Sequence, residues 1–130
     1  MKKYSFAVCF FFTLLISFRS TAQTDTLKQQ HKLMIRHSVI FKFKSSVDSI
    51  AAQNFFIAAK KLSTIPGVQN FESLRQISKK NKFEFGLSME FSNEDLYQQY
   101  NNHPMHVQFI KDYWLNYVED FMEIDYETLK

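Results

Sequence analysis

From Lys82 to Phe91 polar and apolar residues alternate without a break, Phe83, Phe85, Leu87, Met89 and Phe91 against Lys82, Glu84, Gly86, Ser88 and Glu90. A period of two marks a β-strand with one face in a core. Such a strand is not stable alone, so the remaining chain must supply neighbours for its edges and a layer for its apolar face. Met34 opens a second alternating run, with Ile35, His37, Val39, Phe41 and Phe43 on one side and Arg36, Ser38, Ile40 and Lys42 on the other. Val118 to Tyr126 is a third, with Asp120, Met122, Ile124 and Tyr126 opposite Glu119, Phe121, Glu123 and Asp125. Gln69 to Ser78 has the length and composition of a fourth strand, and Lys79-Lys80-Asn81 forms a polar turn between it and the strand at Phe83.

Between these runs the period lengthens. Asp48 can cap a helix whose apolar positions Ile50, Phe55, Ala58, Ala59 and Leu62 recur at three- and four-residue intervals, until Ile65-Pro66-Gly67-Val68 stops it. Ser92-Asn93-Glu94-Asp95 starts a second helix with acids in its first turn, where the helix dipole favours them, and Leu96, Tyr97 and Tyr100 give it an apolar side. His103-Pro104 breaks that helix in two. Proline suits the first position of the continuation because its missing N–H would have no partner there. The continuation presents His106, Phe109, Ile110, Tyr113, Trp114 and Tyr117 along one stripe. The order β-α-β-β-α-β, with the second helix in two pieces, is the split β-α-β pattern of a ferredoxin-like α+β fold with a four-stranded antiparallel sheet. Helices cover one face of such a sheet, so the face carrying Arg36, Ser38, Ile40 and Lys42 needs water or a second copy of the chain. An acid such as Glu84, Glu90 or Glu123 opposite Lys42 would suit a polar-lined dimer interior.

The first 33 residues do not share this patterning. A basic start at Lys2 and Lys3, an apolar run from Phe6 to Phe18 and small residues at Ser20 and Ala22 read as a secretory signal peptide over 1–22. The run is shorter than the roughly 20 residues a membrane span needs. Residues 23–33 are polar and aperiodic, a flexible tether that includes His31, and the folded domain is expected over 34–130. Cleavage would remove Lys2, Lys3 and Arg19 and leave 13 basic against 13 acidic residues. The exported chain, periplasmic or secreted, then has no electrostatic reason to bind nucleic acid, and no stable membrane association is expected once the signal is gone. Cys9, the one cysteine, lies inside the apolar run, so the domain carries no thiol chemistry. Two glycines, Gly67 and Gly86, exclude phosphate-cradling glycine loops.

Three segments together resemble the stress-responsive dimeric α/β-barrel family, abbreviated Dabb: Met34-Ile35-Arg36-His37-Ser38-Val39-Ile40-Phe41-Lys42-Phe43-Lys44, the Ile65-Pro66-Gly67-Val68 turn, and Glu94-Asp95-Leu96 to Tyr100 followed by His103-Pro104-Met105-His106. The resemblance spans Met34 to Leu129. It implies a homodimer whose two sheets close a barrel with the helices outside. Plant polyketide cyclases of this family, such as olivetolic acid cyclase, use a tyrosine and a histidine as an acid–base pair. The resemblance carries that pair onto Tyr100 and His106, with His37 at the matching strand position. It also aligns the cyclase's strand-three histidine with Phe85 and its helix-one tyrosine with Ala58 or Ala59, which implies a more apolar pocket here.

Residue chemistry leads to the same positions. His106 shares a stripe with Phe109 and Ile110, so it faces the sheet, where desolvation keeps an imidazole neutral and able to take a proton. Tyr100 could offer a hydroxyl to a substrate with an acidic C–H beside a carbonyl. A bland alternative stands beside this, a His–Tyr hydrogen bond that only satisfies two buried groups. His37, Phe85, His103 and Phe109 are the expected contacts of a hydrophobic or aromatic small molecule, while His37 alone would equally be a satisfied core residue. His103 and His106 lack a matching carboxylate, so no metal is expected. No cofactor is expected either, since nothing in the sequence marks a haem site. Binding with acid–base chemistry of a cyclase or lyase kind is the leading expectation. A non-catalytic, stress-related structural or interaction dimer is the alternative.

Overall fold

The computed structural model describes residues 34–129. The expected signal peptide and tether lie outside the described residues. Strand β1 (Ile35–Phe43) leads into helix α1 (Ser49–Lys61), then come β2 (Gln69–Arg75), β3 (Phe85–Phe91), helix α2 (Glu94–Asn101), helix α3 (Pro104–Phe109) and β4 (Val118–Glu127). The sheet is antiparallel throughout, in the order β2–β3–β1–β4. This is the ferredoxin-like arrangement that the alternation of periods predicts.

Local chemistry sets the helix ends. The Asp48 carboxylate accepts the Ala51 N–H at 2.8 Å, and Asn93 does the same for Leu96 at 2.9 Å, so the cap of α2 falls one residue after Ser92. A 3₁₀ turn, Leu62–Thr64, ends α1. Gly67 then reverses the chain at φ +91°, where a Cβ would also stand 3.0 Å from the Leu96 side chain. α3 runs on through a π-helical segment, Ile110–Trp114, and a last α turn, Leu115–Tyr117.

The pleat of β1 sends Ile35, His37, Val39 and Phe41 beneath the helices, where they are buried. Phe41 and Phe55 are wholly buried, with ring centroids 5.4 Å apart, and Trp114 sits 5.2 Å from Phe41. Ile50 departs from its expected place: it is 67% exposed, because the helix capped at Asp48 buries Phe55, Ala58 and Ala59 instead. The two hairpin strands are also shorter than expected. β2 ends at Arg75, and β3 begins at Phe85, although Phe83 is buried just before it.

The other sheet face is mixed. Arg36 pairs with Glu90 across β1 and β3, and Lys42 meets Glu119 of its own chain at 2.8 Å rather than Glu84, Glu90 or Glu123. Beside these charges Leu74, Met122 and Tyr126 are exposed. No described helix is long and apolar enough to cross a membrane.

Candidate functional site

The break at His103-Pro104 builds the site. Helix α2 ends at Asn101, where the last carbonyls of a helix have no partner within it. The chain turns, Pro104 takes the first position of α3, and His106 comes back over the end of α2. There its Nδ1 lies 3.1 Å from the Asn101 carbonyl. A carbonyl only accepts, so the proton of neutral His106 sits on Nδ1 and Nε2 is bare. The imidazole also packs on the Tyr100 ring, with centroids 4.4 Å apart at 33°. No hydrogen bond joins the two side chains, so mutual satisfaction does not account for the pair.

These residues line a cavity of about 260 Å³ between the helices and the sheet. Val39, Leu62, Leu87, Met89, Phe109 and Trp114 supply apolar wall. His37, Tyr100, Asn101, His106 and Glu123 supply the polar points. A 150 Å³ apolar cavity holds benzene, so this one has room for a single ring bearing a short substituent.

Tyr100 is 2% exposed, and its hydroxyl has no hydrogen-bond partner among the described residues. No sealed side-chain polar atom among them is left unsatisfied. The Tyr100 oxygen must therefore open on the cavity. Burial is the main cause that raises its pKa well above the ordinary tyrosine value, so the phenol stays a donor. Burial also lowers the His106 pKa from 6.5, partly offset by the bond to Asn101, which favours the neutral base near pH 7.

His37, 6% exposed, enters from β1 beside this pair, with its ring centroid 6.1 Å from that of Tyr100. Its Nδ1 lies 2.8 Å from Asp125 Oδ1, and the Tyr97 hydroxyl donates to Asp125 Oδ2 at 2.8 Å. Burial comes first among the causes that raise the Tyr97 pKa, with the Asp125 bond second. His37, Glu123 and Asp125 place three possible cation ligands within 4.8 Å of one another. His37 and both Asp125 oxygens are already joined to each other and to Tyr97 by hydrogen bonds.

Of the residues expected from sequence, His37, Tyr100, His106 and Phe109 come together around the cavity. Phe85 and His103 do not. Phe85 lies in an aromatic cluster with Phe41, Phe43 and Phe56, at centroid distances of 5.9, 5.2 and 5.4 Å, away from the cavity lining. His103 caps α3, its Nδ1 accepting the Met105 N–H at 3.2 Å, and it is not part of the cavity lining. Sequence reasoning missed Asp125 and Tyr97. The signal for Asp125 was the parity of β4, which leaves Phe121, Glu123 and Asp125 on one face.

The fold defines a ferredoxin-like α+β domain with a cavity between its helix layer and its sheet. The profile of the stress-responsive A/B barrel domain, Dabb, matches residues 35–128, and the chain belongs to that family. A Dabb family protein of ferredoxin-like fold from Mesorhizobium loti is 49% identical, with a TM-score of 0.72 over 75% of this chain and 99% of that one. A dimeric ferredoxin-like protein from Thermobifida fusca is 19% identical, with a TM-score of 0.66 over 75% and 93%. The hydroxynitrile lyase of Passiflora edulis is 14% identical, with a TM-score of 0.70 over 76% and 96%. No curated protein matches the sequence.

Proposed function

We propose that this protein binds a small, uncharged, largely apolar carbonyl compound in the cavity and moves a proton on it, with His106 as base and Tyr100 as hydrogen-bond donor. The observation that carries the reading is the pairing of a bare His106 Nε2 with an unpartnered Tyr100 hydroxyl in one apolar cavity. Nε2 takes the proton from the carbon beside the carbonyl, and the electron pair moves to the carbonyl oxygen. The Tyr100 hydroxyl holds that oxygen as its charge grows. The proton then returns from His106 to carbon as the electron pair moves back from the oxygen and the carbonyl re-forms. A lyase on a similar fold is compatible with chemistry of this kind.

Exchange of the acetophenone methyl protons in D₂O, followed by proton NMR, tests the reading. The protein is expected to exceed free imidazole at equal concentration by orders of magnitude. Tyr100→Phe, which keeps the ring and removes the hydrogen bond, should slow exchange about tenfold. A wild-type rate no better than imidazole would leave a non-catalytic dimer as the better reading.

The same proposal includes a homodimer and export. A single helix layer leaves one sheet face open, that face carries Met122, Ile124 and Tyr126, and the Thermobifida fusca protein of this fold is dimeric. Met122→Glu should convert the dimer to a monomer in sedimentation at micromolar concentration, and a wild-type mass of one chain would overturn the dimer. Export predicts that protein recovered from the periplasm begins at Gln23, which an intact mass reads directly.

A further inference from the structure

Three elements converge on one imidazole. His37 comes from the centre of β1, Asp125 lies directly across from it in the β1–β4 register, and Tyr97 reaches down from α2 one turn before Tyr100. The carboxylate bridges the other two: Oδ1 is 2.8 Å from His37 Nδ1, and Oδ2 accepts the Tyr97 hydroxyl at 2.8 Å. The Tyr97 oxygen is itself 3.3 Å from the same Nδ1, so the phenol spans both groups. An ionised carboxylate has no proton to give, which places the His37 proton on Nδ1 and leaves Nε2 bare in the neutral ring. His37 lines the cavity, and no described residue bonds its Nε2. His106 shows the same pattern by other means, its Nδ1 committed to the Asn101 carbonyl. The Tyr100 ring neighbours both, with centroids 6.1 Å from His37 and 4.4 Å from His106.

We propose that Asp125 and Tyr97 are positioning residues that hold His37 with its proton on Nδ1, so that Nε2 serves the cavity as a second proton acceptor beside His106. The inference deepens the proton-transfer reading of the cavity, on which its catalytic half rests. Its tautomer half stands without any substrate. Two acceptors around one hydroxyl suit a carbonyl compound with acidic C–H bonds on both sides of the carbonyl. Each base takes a proton from one carbon, the electron pair goes to the oxygen held by Tyr100, and the proton returns to carbon.

Long-range proton–nitrogen NMR on the uniformly ¹⁵N-labelled mature chain reads the tautomer directly. In the wild type, Nδ1 of neutral His37 should be protonated and Nε2 should have the shift of a pyridine-like nitrogen. Asp125→Ala should move the ring toward the Nε2–H form, and Asp125→Asn, which keeps an oxygen for Nδ1–H, should restore it. With phenylacetone, which has two different α-positions, Asp125→Ala should lower kcat for exchange by roughly tenfold and leave KM unchanged, the scale on which metal-bound histidines respond to losing a supporting carboxylate. A wild-type His37 protonated on Nε2 would overturn the proposal whether or not the variants fold. An unchanged tautomer in a folded Asp125→Ala protein would do the same. If the tautomer behaves as stated and no exchange occurs, the network stands and the catalytic reading of the cavity falls.

Discussion

Phe41→Ala is expected to cost about 3–5 kcal/mol of folding stability, the range for removing a buried aromatic ring. Phe41 has no exposed surface, and its ring meets those of Phe43, Phe55, Phe56, Phe85 and Trp114 at centroid distances between 5.2 and 6.3 Å. These neighbours come from β1, α1, β3 and the π-helical segment, so no single side chain can move in to fill the space. Each is held by its own element. With a slope of about 1–3 kcal/mol per molar urea, the unfolding midpoint should fall by about 1 M or more at fixed protein concentration. A loss under about 1 kcal/mol at unchanged slope would mean that the ring cluster is far looser than these distances imply.

His106→Ala should slow acetophenone exchange by about a hundredfold or more, the contribution of a positioned base, equivalent to about 2.7 kcal/mol of barrier. The pH dependence gives this result a signature. Since burial depresses the His106 pKa below 6.5, the base form persists through neutral pH, and the wild-type rate should begin to fall only below that value. Stability follows the same group in the same direction. The unfolded chain binds a proton near 6.5 before the folded chain does, so His106 destabilises the fold as pH drops through 6.5 toward its lowered folded value. Above 6.5 it has no such effect, and His106→Ala should flatten that part of the stability curve. Glu90 is held below its ordinary carboxylate value mainly by its Asn70 and Arg36 bonds, and Asp120 mainly by Lys82. They act in a separate, more acid window.

The fold was legible because each element announces its period. β1 and β3 alternate, α1 carries an Asp48 cap, and His103-Pro104 marks the break. The part of the cavity lining on α2 and α3 was legible from the family resemblance and from the break at His103-Pro104, since six residues of unbroken helix would turn Tyr100 and His106 to different sides. The rest depends on pairing register, which periodicity does not contain. On β4 the face with Met122, Ile124 and Tyr126 is the more apolar, and counting hydrophobic residues would turn it toward the helices. Pairing of His37 with Asp125 and of Phe41 with Phe121 turns the acid-bearing face that way instead. Phe85 is missing from the cavity lining for a related reason. Its face was right, but its place along the sheet, opposite Phe41, lies beyond the end of the cavity.

The π-helical segment at Ile110–Trp114 holds one more residue than an α-helix would need to span the same length. Each α-helical residue advances the chain by about 100° around the axis. Regular winding from His106 onward would therefore carry Trp114 about a quarter turn away from Phe41 and Phe121, the rings it now meets at 5.2 and 5.4 Å. Ile110, Trp114 and Leu115 all border the cavity. The shape of that space is thus tied to a single count along the backbone, and deleting one residue between 110 and 114 would redraw it while leaving His37, Tyr100 and His106 in the chain untouched.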